Sequence, residues 1–503
     1  MQSIWSHFAD SHEFPQLKEG ILTDVAIIGG GITGISAGCL LAQQGRKVVV
    51  LESRKVGGGT SGHSTGNLYF TIDKPLSSLK SKYDNETVKK VAQSRSEALK
   101  QVAMWVSEYN LDCDFKRVPW HLYSNDEKNK SRIDDEYKTG RKAGLPMKII
   151  RESEMPVPAV RALKLDEQGQ INPMRYVQEL AKKLQSENFQ IYEQTHVSSV
   201  KEQGNHYKLM TPDGIVTAAN VIHATHTPKG VKAVQTLLGP YREYGIACRM
   251  EEGVHPDGIF WGYFDGNKKI STRNYSRNGE HFLIVVGEPH KVGHAKDNKQ
   301  HIEKLESFAR EYFDVQDVAF RWGGQHYRPA DLLPYIGTTF RSSGEFFATG
   351  YSTDGLIYGT LAGVILSDLI TAKENQWADL YRSTRKQPLK SASKFAKENI
   401  DVAKQYIKDL TGKAEDLDLS HLKPGEGKIA EQDGHKLAVY RHEDGKLDVR
   451  SAVCTHLKCI VQWNNAEKSW DCPCHGSRFE TDGSVLEGPA FDPLRRVKFS
   501  DDS

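Results

Sequence analysis

Two mixed cysteine–histidine strings carry the most specific chemistry in this chain: Cys454-Thr455-His456-Leu457-Lys458-Cys459 and Cys472-Pro473-Cys474-His475-Gly476-Ser477. Thiolates hold ferric iron tightly. Neutral imidazoles bring less negative charge, so a di-iron centre with two thiolates on one iron and two imidazoles on the other accepts an electron more readily than an all-thiolate one. Cys454 and His456 come from one loop and Cys472 and His475 from another. Within each pair the cysteine binds one iron and the histidine the other, a [2Fe–2S] arrangement. A Cys₂His₂ zinc site uses the same residue types, but it calls for paired cysteines and paired histidines as separate units. Here each unit is mixed. One-electron chemistry is therefore expected, with the rest of the chain supplying or accepting the electrons.

A second motif is Asp24-Val25-Ala26-Ile27-Ile28-Gly29-Gly30-Gly31-Ile32-Thr33-Gly34. The continuous apolar run at 25–28 predicts a buried parallel strand. G-x-G-x-x-G follows as Gly29, Gly31 and Gly34, then a helix over 35–44, a turn at Gly45 and a second buried strand over 47–51 ending in Glu52. This βαβ unit suits a dinucleotide. Gly29 permits the tight turn, Gly31 lets a pyrophosphate approach the helix N-terminus, and Gly34 lets helix and strand pack closely. Glu52 would accept hydrogen bonds from ribose hydroxyls. The chain has no second such unit, so a pyridine nucleotide is not expected as electron donor.

The elements that must position these groups are partly readable. At 503 residues the chain has room for about two to four domains. The 67 basic and 65 acidic residues nearly cancel, and no basic block suggests nucleic acid. No apolar run is long enough to cross a bilayer. Residues 1–19 lack the apolar core of a signal peptide, so a cytoplasmic location is expected. Cys39, Cys113 and Cys248 are scattered and read as buried thiols. Helices are expected at 86–109, where Val88, Val91, Ala92, Ala98, Val102, Trp105 and Val106 recur at helical spacing, and from Asn172-Pro173 to 184. Strands at 190–193, 197–201 and 207–210 read as a β-meander, and the alternation over 258–287 as a broad antiparallel sheet. Residues 377–425, rich in Lys, Ser, Asp and Glu with a helix near 392–410, read as a connector; 437–499 reads as a small antiparallel β domain.

The cluster strings closely resemble those of Rieske proteins from respiratory and photosynthetic complexes. That resemblance implies a disulfide between Cys459 and Cys474. It places the Ser477 hydroxyl near a bridging sulfide and makes Gly488-Pro489-Ala490 the proline loop over the cluster. High-potential members carry a tyrosine where this chain has Phe479, which cannot donate a hydrogen bond. A potential between those of respiratory Rieske centres and plant-type ferredoxins follows.

The nucleotide part is similar to FAD enzymes of the D-amino-acid oxidase and glycine oxidase superfamily. The loop Gly57-Gly58-Gly59-Thr60-Ser61-Gly62-His63-Ser64-Thr65-Gly66 resembles the segment beneath the flavin, and Asn220-Val221-Ile222-His223-Ala224-Thr225 the strand that closes the nucleotide domain. Phe346-Phe347-Ala348-Thr349-Gly350-Tyr351-Ser352-Thr353-Asp354-Gly355-Leu356 resembles the last flavin segment, leading into a helix over 356–370 whose N-terminal dipole would stabilise negative charge on the flavin. The resemblance implies FAD held by Gly29, Gly31, Gly34, Glu52, Ser61, Gly62, His63, Thr65, Val197, Ala224, Thr225, Gly350, Gly355 and Leu356. Some amine dehydrogenases of this superfamily attach FAD through a histidine in an H-x-x-G loop, and His63-Ser64-Thr65-Gly66 fits. Others place a non-bonding Arg or His there, and a phosphate or flavin neighbour is expected.

The stretch Trp322-Gly323-Gly324-Gln325-His326-Tyr327-Arg328-Pro329-Ala330-Asp331 resembles the segment that lines the active site of relatives. It implies substrate hydrogen bonds from Gln325 and Tyr327 and an ammonium seat at Asp331; a structural turn braced by Pro329 and Pro334 is the other reading. His290, His294 and Asp297 have the residue types of a two-His, one-carboxylate iron site, but their loop context favours ordinary histidines.

The expected fold is an α/β FAD-binding Rossmann-type domain (20–80, 170–235 and 335–376) interleaved with an antiparallel-sheet substrate domain (81–169 and 236–334), a helical connector (377–425) and an all-β Rieske domain (426–503). The resemblance implies a flavin-dependent oxidoreductase that oxidises a C–N bond of a small amine or amino acid. Electrons pass from FAD to the cluster and on to an external one-electron carrier or quinone. Reverse flow from a reduced carrier, or a non-catalytic electron-transfer or redox-sensing module, are the alternatives.

Overall fold

A computed structural model describes residues 1–71, 75–265, 268–340, 342–385, 415–416, 419 and 421–497. The helix expected near 392–410 lies outside the described residues.

The apolar run of the glycine motif forms the middle strand, Ile21–Ile28, of an eight-stranded sheet. It pairs in parallel with Val48–Leu51 on one side and Ile215–His223 on the other. Buried on both faces, it needs covers above and below. Helices Ile32–Gln43 and Gly355–Ile370 pack on each other so closely that a Cβ on Gly363 would lie 2.7 Å from the Cβ of Ser36. Phe189–Tyr192 is not part of the meander. It pairs in parallel with Val48–Leu51, whose four buried residues require a ladder partner on their outer side. Its Phe189 ring fills the space left by Gly38, where a Cβ would lie 2.4 Å away. The antiparallel meander is made by Ser199–Gln203, His206–Met210 and Ile215–His223.

The expected broad sheet is present as a nine-stranded sheet that includes Ile259–Phe264, Lys268–Arg277 and Glu280–Lys291. Strand Asn67–Leu68 belongs to it, although it lies inside 20–80. Helix Asn85–Glu108 starts where the Asp84 carboxylate accepts the Thr87 N–H at 2.8 Å, and helix Pro173–Leu184 where Asn172 accepts the Arg175 N–H at 3.2 Å. The C-terminal part has two four-stranded sheets around a small core that includes Trp470, Phe479 and the cysteines of both strings. Among the described residues, no helix is long and apolar enough to cross a membrane.

Candidate functional site

The two C-terminal strings fold as turns that face each other. Lys458 and Gly476 take positive φ, 63° and 73°, and backbone bonds from Cys454 N to Cys459 O and from Cys472 N to Ser477 O, both 2.8 Å, close the loops. Cys459 and Cys474 are joined in a disulfide that ties one loop to the other. Their sulfurs and that of Cys472 lie within 4.8 Å of one another, but two are spent in the bridge. Cys454 and Cys472 hydrogen-bond to each other, which draws the Cys454 thiol down and pushes the Cys472 thiol up. The rings of His456 and His475 lie 5.1 Å apart, and the Nδ1 atoms of both are buried without a hydrogen-bond partner among the described residues. Burial pushes both imidazoles down to about 4, so they are neutral, the metal-binding form. Two paired thiols and two orphaned imidazole nitrogens fit the donor set of a half-thiolate, half-imidazole di-iron centre. Ser477, fully buried beside Cys454, accepts the Ala490 N–H at 3.2 Å, and Phe479 is fully buried.

The nucleotide elements also meet. Gly29 has φ +106°, and a Cβ there would lie 2.6 Å from the Ala224 carbonyl oxygen; one on Gly34 would lie 2.0 Å from the Gly29 carbonyl oxygen. Helix Ile32–Gln43 therefore begins directly behind the turn, with Gly31 as its cap. Ser61 Oγ accepts the Ile32 N–H at 3.0 Å, which brings the loop 57–66 to that helix end. Glu52 Oε1 accepts the Arg54 N–H at 2.9 Å and the Ser53 hydroxyl at 3.4 Å, while Oε2 accepts the Gly30 N–H at 2.8 Å and keeps a lone pair for a ribose hydroxyl. A Cβ on Gly59 or Gly355 would meet nothing within 4 Å, so the loop and the start of helix Gly355–Ile370 border open space. A glycine turn, a helix N-terminus and an open cradle fit a flavin dinucleotide.

The other nucleotide candidates take these places. The His63 Nδ1–H donates to Gly59 O at 2.8 Å, and burial lowers the pKa of the ring. The Gly62 and Thr65 carbonyls accept from Ser3 and Arg273. Ala224 N donates to Ile28 O at 2.9 Å, and Thr225 Oγ1 donates to Thr227 O at 2.7 Å. Val197 and Leu356 are buried, and Gly350 has φ +79°.

Strand Val318–Pro329 relates the two centres. Paired positions run across the sheet from Leu122 to Trp261, Ser271, Val286, Gly245 and Trp322. Directly paired residues share a face, so alternation puts Trp322, Gly324, His326 and Arg328 on that face. The Trp322 indole N–H donates to His63 O at 3.1 Å, so this face meets the loop 57–66. The opposite face carries Gly323, Gln325 and Tyr327 and meets the cluster loop. Gln325 Nε2 donates to Gly476 O at 2.7 Å, and Tyr327 OH donates to His475 O at 3.2 Å.

The side chains expected to contact substrate, Gln325, Tyr327 and Asp331, are placed in bonds to other parts of the chain. Gln325 and Tyr327 are engaged with the backbone of the cluster loop. Asp331 is fully buried in a two-pronged ion pair with Arg385, with bonds of 2.9 Å from both Nε and Nη2. His290 stacks on His301 at 4.0 Å, and Asp297 accepts from Asn465 at 2.8 Å, so these two are otherwise engaged. Arg328 is the residue that sequence reasoning passed over. Its guanidinium lies 4.2 Å over the Tyr241 ring on the face of Trp322, and its Nε is buried without a partner among the described residues. An Arg directly after Tyr327, in the stretch that resembles the active-site segment of relatives, was the available signal.

The comparisons agree with both halves of this geometry. Residues 24–369 match the FAD dependent oxidoreductase family, and residues 413–498 match the Rieske [2Fe-2S] domain. A putative Rieske 2Fe-2S iron-sulfur protein, YhfW, of Bacillus subtilis (strain 168) is 29% identical over 502 residues, which cover 99% of this chain and 97% of that protein. Gamma-glutamylputrescine oxidoreductase of Escherichia coli (strain K12) is 23% identical over 371 residues, covering 71% of this chain and 85% of that one. The crystal structure of glycine oxidase from Geobacillus kaustophilus superimposes with a TM-score of 0.59 at 20% identity, covering 73% of this chain and 99% of that one.

Proposed function

The chain belongs to the FAD dependent oxidoreductase family and carries a Rieske [2Fe-2S] domain, and from that premise we propose that it oxidises a C–N bond of a small amino acid or related amine and hands the electrons to an external one-electron carrier or quinone. The observation that carries this reading is strand Val318–Pro329, one face of which borders the flavin loop and the other the cluster loop. When bound, FAD supplies two-electron chemistry at a C–N bond and the cluster one-electron relay.

The chain's own residues do the positioning. Arg328 offers a planar cation that can clamp a substrate carboxylate, and the Tyr241 ring beneath it holds the guanidinium in place. Tyr327 and Gln325 fix the cluster loop against the back of the same strand. His226, kept neutral by burial at about 4, lies with its ring 4.8 Å from that of Tyr327, and its Nδ1 is 3.2 Å from Thr60 of the flavin loop. A continuous packed route of side chains therefore joins the two loops. A cytoplasmic location goes with this reading.

The test is anaerobic mixing of the full chain with amino acids, amines and polyamines while flavin absorbance and the cluster's EPR signal are followed. Flavin bleaching by one of these compounds, followed by cluster reduction, is expected. Bleaching only by a reduced ferredoxin would reverse the direction, and bleaching by neither would remove the dehydrogenase reading.

A further inference from the structure

Gln235 lies outside the cluster domain, in the short turn Ala233–Leu237 that precedes strand Leu238–Arg249 of the large sheet, yet it touches a cluster ligand. It is 4% exposed. Its amide orientation is fixed by its own partners. The NH₂ group donates to Pro228 O at 2.9 Å and Gly230 O at 2.7 Å, and Oε1 accepts the Lys232 N–H at 3.0 Å. Carbonyl oxygens cannot donate, so the nitrogen must face Pro228 and Gly230 and the oxygen must face Lys232 and His456. His456 Nε2 lies 3.0 Å from that oxygen. Only a proton on Nε2 makes this contact a hydrogen bond. Nδ1 is then bare, and it is the atom left buried without a partner.

Resting on the cluster reading of the site, we infer that Gln235 is a positioning residue for the iron–sulfur centre: from the flavin-bearing part of the chain it holds His456 in the tautomer that presents Nδ1 to iron. An acceptor on the outer N–H of a ligating imidazole fixes its orientation and raises its basicity. The more basic ligand favours ferric iron, so Gln235 lowers the potential of the cluster. Among the described residues, the His475 side chain has no hydrogen-bond partner. The two imidazoles are therefore inequivalent. The same bond closes the outer nitrogen of His456 to hydrogen bonding by an outside acceptor.

The test uses the full chain with both cofactors, poised electrochemically at one pH and read by EPR. Gln235→Leu removes the side-chain acceptor, leaving the Gly230 backbone beside His456, and is expected to raise the cluster potential and shift the g values, with iron retained about 10- to 100-fold more weakly. Gln235→Glu keeps an oxygen in place and is expected to bring the potential back to or below the original. An unchanged potential and spectrum in Gln235→Leu, or a fall in potential, would overturn the inference. Pulsed EPR of the unaltered protein tests it without any substitution: two distinct imidazole nitrogen couplings are expected, and two identical ones would overturn it. A reduced protein without a half-imidazole cluster spectrum would instead remove the cluster reading itself.

Discussion

Arg242 of the large sheet forks onto Glu467 of the cluster domain, with the Arg242 side chain 2% exposed. Around this pair, Arg478 reaches Glu467, Glu487 and Asp471, and Arg242 reaches Glu487 at 3.2 Å. Two guanidinium groups and three carboxylates thus meet in a buried seam between the parts that hold flavin and cluster. Burial alone opposes such charges, so each depends on the others. Replacing Arg242 by Leu leaves Glu467 and Glu487 with Arg478 as their remaining guanidinium. A loss of about 3–5 kcal/mol is expected, read as a lower midpoint in chemical denaturation. An unchanged midpoint would show that the seam does not hold the two parts together.

The same seam sets the acid limit of the protein. Burial pushes Glu467 and Glu487 upward, but Arg242 and Arg478 outweigh it and hold both carboxyls down at about 2, against an ordinary 4.5. Glu345, bonded to His223 and Lys232, is likewise held at about 2. A folded value below the unfolded one contributes stability in full above pH ~4.5 and loses it as pH falls toward 2. Stability is therefore expected to drop between those limits by up to about 3 kcal/mol per carboxylate. Thermal unfolding followed across that range checks it, and the drop should shrink when Arg242 is replaced.

What the sequence disclosed was local chemistry. The cluster ligands and the glycine turn lie within short strings whose spacing is itself the signal, and the cap at Asn172 acts within three residues. What it concealed was set by pairing across distance. Asp331 meets Arg385 some 54 positions away, and Gln325 meets Gly476 some 151 away. No periodicity announces either partner. Period-two alternation shows that Gln325 and Arg328 lie on opposite faces, but only the register of the whole sheet tells which face meets the flavin loop. Phe189–Tyr192 was misassigned for a related reason. Its partner is chosen by the exposed ladder edge of Val48–Leu51, a fact of assembly rather than of local pattern.

The disulfide stabilises the loop pair independently of the iron. Cys459 and Cys474 are separated by 15 positions, and closing a loop of that length constrains the unfolded chain by about 3 kcal/mol. The double substitution Cys459→Ala and Cys474→Ala is expected to lower stability by that order and to weaken cluster retention, while FAD absorbance persists. Loss of both cofactors at once would mean that the bridge supports more than its own loops.

Gly34 tests the nucleotide turn in isolation from the cluster. A Cβ at this position would lie 2.0 Å from the Gly29 carbonyl oxygen and 3.1 Å from Ile27 Cγ2. Backbone cannot yield cheaply there, so Gly34→Ala must push helix Ile32–Gln43 off the sheet. The expected product has lost FAD and retains the EPR signal of the chemically reduced cluster. Normal flavin content in this variant would contradict the assigned turn.

Arg328 decides between an amino acid and a simple amine. Its Nε is buried and has no partner among the described residues, a costly state for a guanidinium nitrogen unless a ligand completes it. A substrate carboxylate would do so with two parallel hydrogen bonds, and a hydrogen bond to a charged group contributes about 1.5–3 kcal/mol. Arg328→Ala should therefore raise KM for an amino-acid substrate about 10- to 100-fold, with the cluster spectrum unchanged. Arg328→Lys should recover little of this, because a point charge cannot reproduce the planar fork. An amine without a carboxylate should be indifferent to both changes. Equal losses for the two substrate classes would mean that Arg328 shapes the pocket rather than reading the carboxylate, and that the Tyr241 contact is its main role.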